Sequence, residues 1–213
     1  MESIKNIEML SKRYPGLASL KKVMKDAVDT IIKSYEGGGK VLICGNGGSS
    51  SDSGHIAGEL MKGFEMKRPL DSFFKKKLQS ISDERGKFLS EKLQQGLPAI
   101  SLSAHSDLMT AIVNDIDGDL IFAQQVAGFA KSGDVLMGIS SSGNSQDVID
   151  ALIVAQALGL KTIGLTGEDG GRMKKYCDIL INVPGNKTAA IQELHLPVYH
   201  TICLLIETHF FNQ

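Results

Sequence analysis

A short apolar run that stops in a cluster of small polar residues, then resumes with helical spacing, occurs twice along this chain. Val135–Ile139 is continuously apolar, as suits a strand in the middle of a parallel sheet, and Ser140–Ser145 is the turn that leaves it. From Asp147 onward, Val148, Leu152, Ile153 and Ala155 recur with the helical period, so the turn opens a helix. Val41–Cys44 is the second apolar run, Gly45–Gly48 its turn, and Ser49 the start of the next helix. Ahead of it, residues 17–35 place Leu20, Val23, Met24, Ala27, Ile31 and Ile32 on one helical stripe that Gly37–Gly39 stops.

Three further apolar segments read as strands: LPAISLSA at 97–104, KTIGLTG at 161–167 and CDILINV at 177–183. Helical stretches DLMTAIVNDI and DLIFAQQVAGFA lie on either side of the turn at Asp117–Gly118. Thr188–Phe211 is a long helix with Ile191, Leu194, Val198, Ile202, Leu205 and Ile206 on its apolar side. Met61–Gly96 breaks the rhythm. It is charged, has Phe73 and Phe74 near its middle, and reads as a helical excursion of two short helices broken near Ser82–Gly86. Strands alternating with helices predict an α/β fold, a five-stranded parallel sheet flanked by helices in three αβα layers, with ligands at the carboxyl ends of the strands. The 213 residues fit one domain, with an N-terminal helical region at 1–37 and a helical insertion at about 62–96.

Composition narrows the function classes. The formal net charge is −1 and Lys75–Lys77 is the longest basic tract, which argues against a nucleic-acid or anionic-membrane surface. No uninterrupted apolar run approaches the roughly 18 residues of a membrane span, and MESIKNIEML lacks the form of a signal peptide, so a cytoplasmic protein is expected. Three cysteines, Cys44, Cys177 and Cys203, without paired metal spacing, fit reduced thiols rather than a disulfide framework.

The two turns are the candidate ligand site. The first N–H groups of the helix after Ser145 have no internal partner; with the helix dipole and the hydroxyls of Ser140, Ser141, Ser142 and Ser145 they suit a phosphate. The glycines of the other turn let backbone approach a ligand closely. It matches neither a dinucleotide fingerprint nor a P-loop, since the third glycine and the lysine are missing. His55 and Glu59 are i, i+4 on the following helix, a spacing that can hold a divalent metal or set a carboxylate base beside a proton donor. On the last helix Glu193 and His200 are about 20° apart and Gln192 and His200 about 80°, so spacing leaves either as the companion of His200.

GNGGS at Gly45–Ser49, HIAGEL at His55–Leu60, GISSSGNS at Gly138–Ser145, LTGEDGG at Leu165–Gly171 and IQELHLPVYH at Ile191–His200 together resemble the phosphoheptose isomerases of the sugar isomerase (SIS) domain superfamily. That resemblance implies a homotetrameric enzyme converting D-sedoheptulose 7-phosphate to D-glycero-D-manno-heptose 7-phosphate. It implies that Ser140, Ser141, Ser142 and Ser145 hold the phosphate and that Asn46, Gly47, Gly48, Ser49, Asn114, Asp115 and Gln192 line the sugar. It further implies zinc on His55, Glu59, Gln192 and His200, with Glu59 and His200 as the acid/base pair, and so selects Gln192 over Glu193. Aldose–ketose isomerisation through an enediol needs a base, a proton shuttle and an electrophile at the carbonyl oxygen, which suits this set. Metal binding weakens a carboxylate as a base, so either Glu59 alternates between the two roles or His200 is the base.

The chain departs from the family in its longer Met61–Gly96 segment, in Gly63 where some members carry an Arg (Lys62 adjoins it), and in Ala190 where an Arg commonly precedes Ile-Gln-Glu. These departures bear on which sugar is bound. Two other readings are a non-catalytic SIS sugar-phosphate sensor or an adaptor similar to the replication-initiator-associating protein, and an isomerase for a different sugar phosphate. A sensor needs the phosphate turn but no base; Glu59 and His200 favour catalysis.

Overall fold

A computed structural model describes residues 2–212. All five expected strands form: β1 (Val41–Gly45), β2 (Ala99–Ser101), β3 (Val135–Ser140), β4 (Lys161–Thr166) and β5 (Ile179–Asn182). They pair in the order β2-β1-β3-β4-β5, every pair parallel. The chain runs from β1 outward to β2 and then returns to β3 on the other side. The crevice between the carboxyl ends of β1 and β3 is therefore the switch point where such sheets take ligands, and both Gly/Ser turns emerge there.

Alternate side chains of each strand enter two different cores, as the two-residue period of a strand requires. Val41, Ile43, Met137, Ile139 and Leu165 pack with α2 (Lys21–Glu36), α3 (Gly48–Met61) and α9 (Thr188–Phe211). Leu42, Cys44 and Leu136 pack on the opposite face with α7 (Ala123–Phe129) and α8 (Gln146–Ala157). These are the three expected layers. In α8 the buried stripe is Val148, Ile149, Ala151, Leu152 and Ala155, while Ile153, expected inside, is 40% exposed because its position points away from the sheet.

The N-terminal helical region is more divided than its apolar stripe suggested. Helix α1 (Glu2–Arg13) comes first, a 3-10 turn spans Pro15–Leu20, and α2 begins at Lys21, Pro15 being suited to open the tighter turn. Residues 106–115 form α6 (Ser106–Asp115); the next stretch starts as a 3-10 turn at Gly118–Leu120 before α7. By length and composition α9 could cross a membrane, contrary to the sequence-based expectation, but it packs on α1, α2 and α3 as a core helix. The three thiols are free: Cys44 and Cys203 are buried and Cys177 half-buried.

The excursion is a hairpin of α4 (Ser72–Ile81) and α5 (Asp83–Lys92), broken at Ser82 as expected. Asp71 caps α4 by accepting from the Phe74 N–H. The two helices cross closely at Gly86, where a Cβ would lie 2.2 Å from the Leu78 carbonyl oxygen. The hairpin packs chiefly on itself and leaves Phe73 and Ile81 largely in solvent.

Candidate active site

Gly47, with φ +54°, turns the chain off β1 into α3, and the N–H groups of Ser49 and Ser50 return to the carbonyls of Asn46 and Gly47. Across the crevice, Ser145 occupies the N-cap position of α8 without capping it; its hydroxyl lies 3.1 Å from that of Ser140 instead. A cavity of about 280 Å³ between the two turns is lined by Asn46, Gly47, Gly48, Ser49, Ser140, Ser141, Ser145, Thr188 and Gln192, besides Ile139. Among the described residues no lysine or arginine lines it, so an anion there meets hydroxyls and N–H groups. Ser142 is exposed and its Oγ accepts from the Asn144 N–H.

The Ser140–Ser145 loop is clamped from outside. A Cβ on Gly143 would stand 2.3 Å from the Gly170 carbonyl oxygen, and one on Gly171 2.4 Å from that of Ser142, so these loops touch backbone to backbone. Arg172 secures them through its own N–H to Asn144 Oδ1 (3.0 Å) and Nη2 to the Asn144 carbonyl (2.9 Å). On the β1 side, Asn46 Nδ2 donates to both oxygens of buried Asp147 (3.0 and 2.8 Å). Burial raises the Asp147 carboxyl and the Asn46 amide partly offsets that.

His55, Glu59 and His200 converge at the side of this crevice. Their candidate ligand atoms all lie within 4.8 Å of one another. Glu59 is 4% exposed; its Oε1 is 2.6 Å from His200 Nδ1 and 3.1 Å from His55 Nε2. Among the described residues, neither Glu59 oxygen nor His200 Nδ1 has an aligned hydrogen-bond partner, despite the short distances. Buried lone pairs that crowd one point without hydrogen-bond alignment are the donor set a cation takes, and two imidazoles with a carboxylate suit zinc. Burial pushes the Glu59 carboxyl up to about 7, an effect the Cys203 thiol and Lys62 reduce. Burial, then His55, lowers His200. Phe64 stacks on the His200 ring at a centroid distance of 5.5 Å.

Gln192 belongs to the cavity. A Cβ on Gly48 would lie 2.6 Å from its Nε2, and Gly48 is seven residues, about 10 Å, along α3 from His55. His55, Glu59 and His200, three of the four expected metal-site residues, assemble as a cluster, and the fourth, Gln192, lines the cavity; Glu193 is exposed. Asn114 and Asp115 are exposed at the end of α6 and bonded to each other (2.7 Å), outside the cavity lining. Gly63 gives its N–H to Gln94, and Ala190 is exposed.

Residues that sequence reasoning missed support the site. Arg68 donates to the carbonyls of Leu60 (2.6 Å) and Glu59 (3.0 Å) and to Glu207 on α9. Glu207 in turn accepts the N–H groups of Phe64 and Glu65. Asp52 and Tyr199 flank His55. Asp52 was detectable, since Asp52, His55 and Glu59 at i, i+3 and i+7 share a helix face. Nothing in the local pattern marked Arg68 or Glu207, whose partners are distant in sequence.

Comparison with known proteins agrees with this fold. The family model of the SIS domain matches residues 10–74 and 85–167. The phosphoheptose isomerase of Aliarcobacter butzleri is 44% identical over 188 residues, 88% of this chain and 84% of that protein. That of Helicobacter pylori strain P12 is 39% identical over 198 residues, 93% of this chain and 90% of its own. Among solved structures, the phosphoheptose isomerase from Neisseria gonorrhoeae superimposes with a TM-score of 0.73 at 32% identity, covering 97% of this chain and 94% of that one. The Francisella tularensis enzyme gives 0.74 at 30% identity, with 97% and 93% covered.

Proposed function

Because the chain belongs to the phosphoheptose isomerases of the SIS domain family and is a sugar-phosphate isomerase, we propose that it interconverts D-sedoheptulose 7-phosphate and D-glycero-D-manno-heptose 7-phosphate. One observation carries the reading: a buried carboxylate held near neutrality, Glu59, lies 2.6 Å from a half-buried histidine, His200, beside a hydroxyl-lined anion cavity.

The phosphate lies among Ser140, Ser141 and Ser145 at the N-terminus of α8, which the Ser145 side chain does not cap. The cavity and the His55/Glu59/His200 cluster are about 10 Å apart along α3, a span that a seven-carbon chain phosphorylated at its far end bridges. Asn46, Gly47, Gly48, Ser49 and Gln192 contact the sugar between them. The carbonyl end then sits at the cluster. Glu59, whose desolvated carboxyl titrates near 7, takes the proton from the carbon next to the carbonyl and returns it to the neighbouring carbon. His200, neutral at that pH because burial lowers it, moves the hydroxyl proton between the two oxygens. Phe64 stacks on the His200 ring and fixes its plane. His55, Glu59 and His200 would hold zinc, with Gln192 as the family's further ligand, Glu59 alternating between ligand and base because a metal-bound carboxylate is the weaker base. When bound, zinc supplies the Lewis acid that polarises the sugar carbonyl.

The family's homotetramer is part of the same proposal. Its support is an apolar groove of about 540 Å³ between α1 and α9, lined by Met9, Leu10, Tyr14, Leu196 and Leu204 and bordering His200. The test of function is incubation of zinc-supplemented protein with sedoheptulose 7-phosphate in deuterated water, followed by NMR. Turnover with deuterium at C2, abolished in Glu59→Gln, is expected; binding of the sugar phosphate without turnover would overturn the enzyme assignment in favour of a sensor.

A further inference from the structure

Tyr199 is a nearly fully buried residue on α9, 1% exposed, that reaches across to the face of α3 carrying Asp52, His55 and Glu59. Its hydroxyl donates to Asp52 Oδ1 at 3.3 Å and lies 3.0 Å from His55 Nδ1. The ring also meets the His55 ring edge-on, with centroids 5.6 Å apart, which fixes the direction of approach. The other Asp52 oxygen, Oδ2, is buried with no hydrogen-bond partner among the described residues. Tyr199 is thus the donor on which that carboxylate depends.

A phenol has one proton, and an ionised carboxylate only accepts. With the Tyr199 proton directed at Asp52, the contact to His55 is a hydrogen bond only if His55 Nδ1 carries a hydrogen and donates it to the phenol oxygen. A neutral imidazole protonated at Nδ1 has a bare Nε2. That Nε2 is the atom 3.1 Å from Glu59 Oε1, on the side where His200 Nδ1 also converges.

We propose that Tyr199, held by Asp52, is a positioning residue that fixes His55 as its Nδ1–H tautomer and thereby presents a bare Nε2 to the Glu59/His200 cluster as a preformed metal ligand. The consequence for metal affinity rests on the zinc reading above; the control of the tautomer does not. Ligating histidines are commonly oriented in this way by a partner on the other ring nitrogen, and losing such a partner costs about 10–100-fold in metal affinity. The order of donors also gives Asp52 its own signature. Without Asp52, the Tyr199 proton is free to turn to His55 Nδ1, which then accepts, and the ring is driven to the opposite tautomer.

The experiment uses the full chain, metal-free and labelled with 15N-histidine, at a pH where imidazole is neutral. Long-range 1H–15N correlation spectra read the tautomer of His55, assigned by its loss in His55→Gln. Zinc affinity is measured in parallel by competition with a chromogenic chelator. The wild-type protein is expected to show Nδ1 protonated. Tyr199→Phe keeps the ring and its packing, and it and Asp52→Ala are both expected to move His55 toward Nε2–H and weaken zinc about 10–100-fold. A merely structural role would leave the tautomer where it is. Wild-type His55 found as Nε2–H, or variants that keep the Nδ1–H tautomer, would overturn the proposal. Wild-type protein that binds no zinc, yet loses its Nδ1–H signal in Tyr199→Phe, would bear out the tautomer control while removing the zinc reading.

Discussion

Arg68 donates from Nε to Oε1 of Glu207 at 2.8 Å, with both side chains wholly shielded from solvent. The pair joins the segment after α3 to α9, the helices that carry Glu59 and His200, so it bears on the geometry of the acid/base pair. Removing one partner strands the other charge, and Arg68→Ala is expected to cost roughly 3–5 kcal/mol in urea unfolding. An apolar exchange of both residues does not restore stability, because the Phe64 and Glu65 N–H groups lose their acceptor. Each stranded donor costs about 1–3 kcal/mol. An Arg68→Met/Glu207→Leu protein as stable as wild type would refute this account.

The same carboxylate sets an acid limit. Burial by itself raises Glu207, but the Glu65 and Phe64 N–H groups and the Arg68 guanidinium outweigh it and hold the carboxyl below the ordinary glutamate range. A depressed folded-state value means that its stabilisation is complete above the unfolded range, about pH 4.3, and is lost as pH falls through the folded value. Unfolding midpoints taken downward from pH 6 should therefore fall more steeply for wild type than for Glu207→Gln. Parallel curves would assign the acid sensitivity to other groups.

Gly48→Ala separates binding from folding. The added Cβ meets Gln192 Nε2 at 2.6 Å, and since that atom ends a flexible side chain, the fold yields cheaply while the carboxamide leaves its place in the cavity. KM should rise about tenfold, about 1.4 kcal/mol, with little change in Tm. Gly128→Ala, at an open position in α7, is the control and should gain about 0.5–1 kcal/mol with KM unchanged. Equal KM values in the two variants would remove Gln192 from the sugar site.

The α4/α5 hairpin is expected to be dispensable for the fold. Its base is closed independently by the Pro69/Gln94 bridge and by Gln95, whose N–H reaches the Arg68 carbonyl at 2.8 Å. Replacing Ser72–Lys92 with a short Gly-Ser turn should leave Tm within a few degrees and improve solubility, because Phe73 and Ile81, 75% and 77% exposed, go with it. A tenfold loss of kcat/KM, or a change of oligomeric state, would instead make the hairpin a part of the site or of a subunit contact.

Local pattern sufficed for the sheet, because continuous apolar runs such as Val135–Ile139 have no other stable place than a strand covered on both faces. It sufficed for part of the cluster: His55 and Glu59 share a helix face, whereas His200 came only from the motif resemblance. What stayed hidden depends on contacts between residues far apart in sequence. Arg68 meets Glu207 only after β2, β3, β4 and β5 have brought α9 back beside α3. Tyr199 stood in the motif with no role of its own, and only the packing of α9 on α3 turns its hydroxyl toward Asp52. Gln192, which the motif resemblance implied as a metal ligand, has its carboxamide over Gly48 in the cavity.

Asn46 and Asp147 test how the crevice is held in register. Asn46 leaves β1 and Asp147 opens α8, so their double contact ties the two ligand turns together across the switch point. Both bonds use Nδ2, which directs the Asn46 Oδ1 away from Asp147 and leaves it free to accept from a sugar hydroxyl. Asp147→Ala deletes both acceptors and the one for the Val148 N–H, so the amide of Asn46 loses its orientation while the serine hydroxyls and Glu59 keep their places. KM should rise about tenfold, with kcat changed far less, because the lost interaction is made equally in the bound substrate and the transition state. Asp147→Asn retains one acceptor and should fall between the two proteins. Steady-state kinetics on the three decide it: a drop in kcat as large as the rise in KM would mean that Asn46 acts on the reacting end of the sugar, and no change in either would mean that the carboxylate serves only to begin α8.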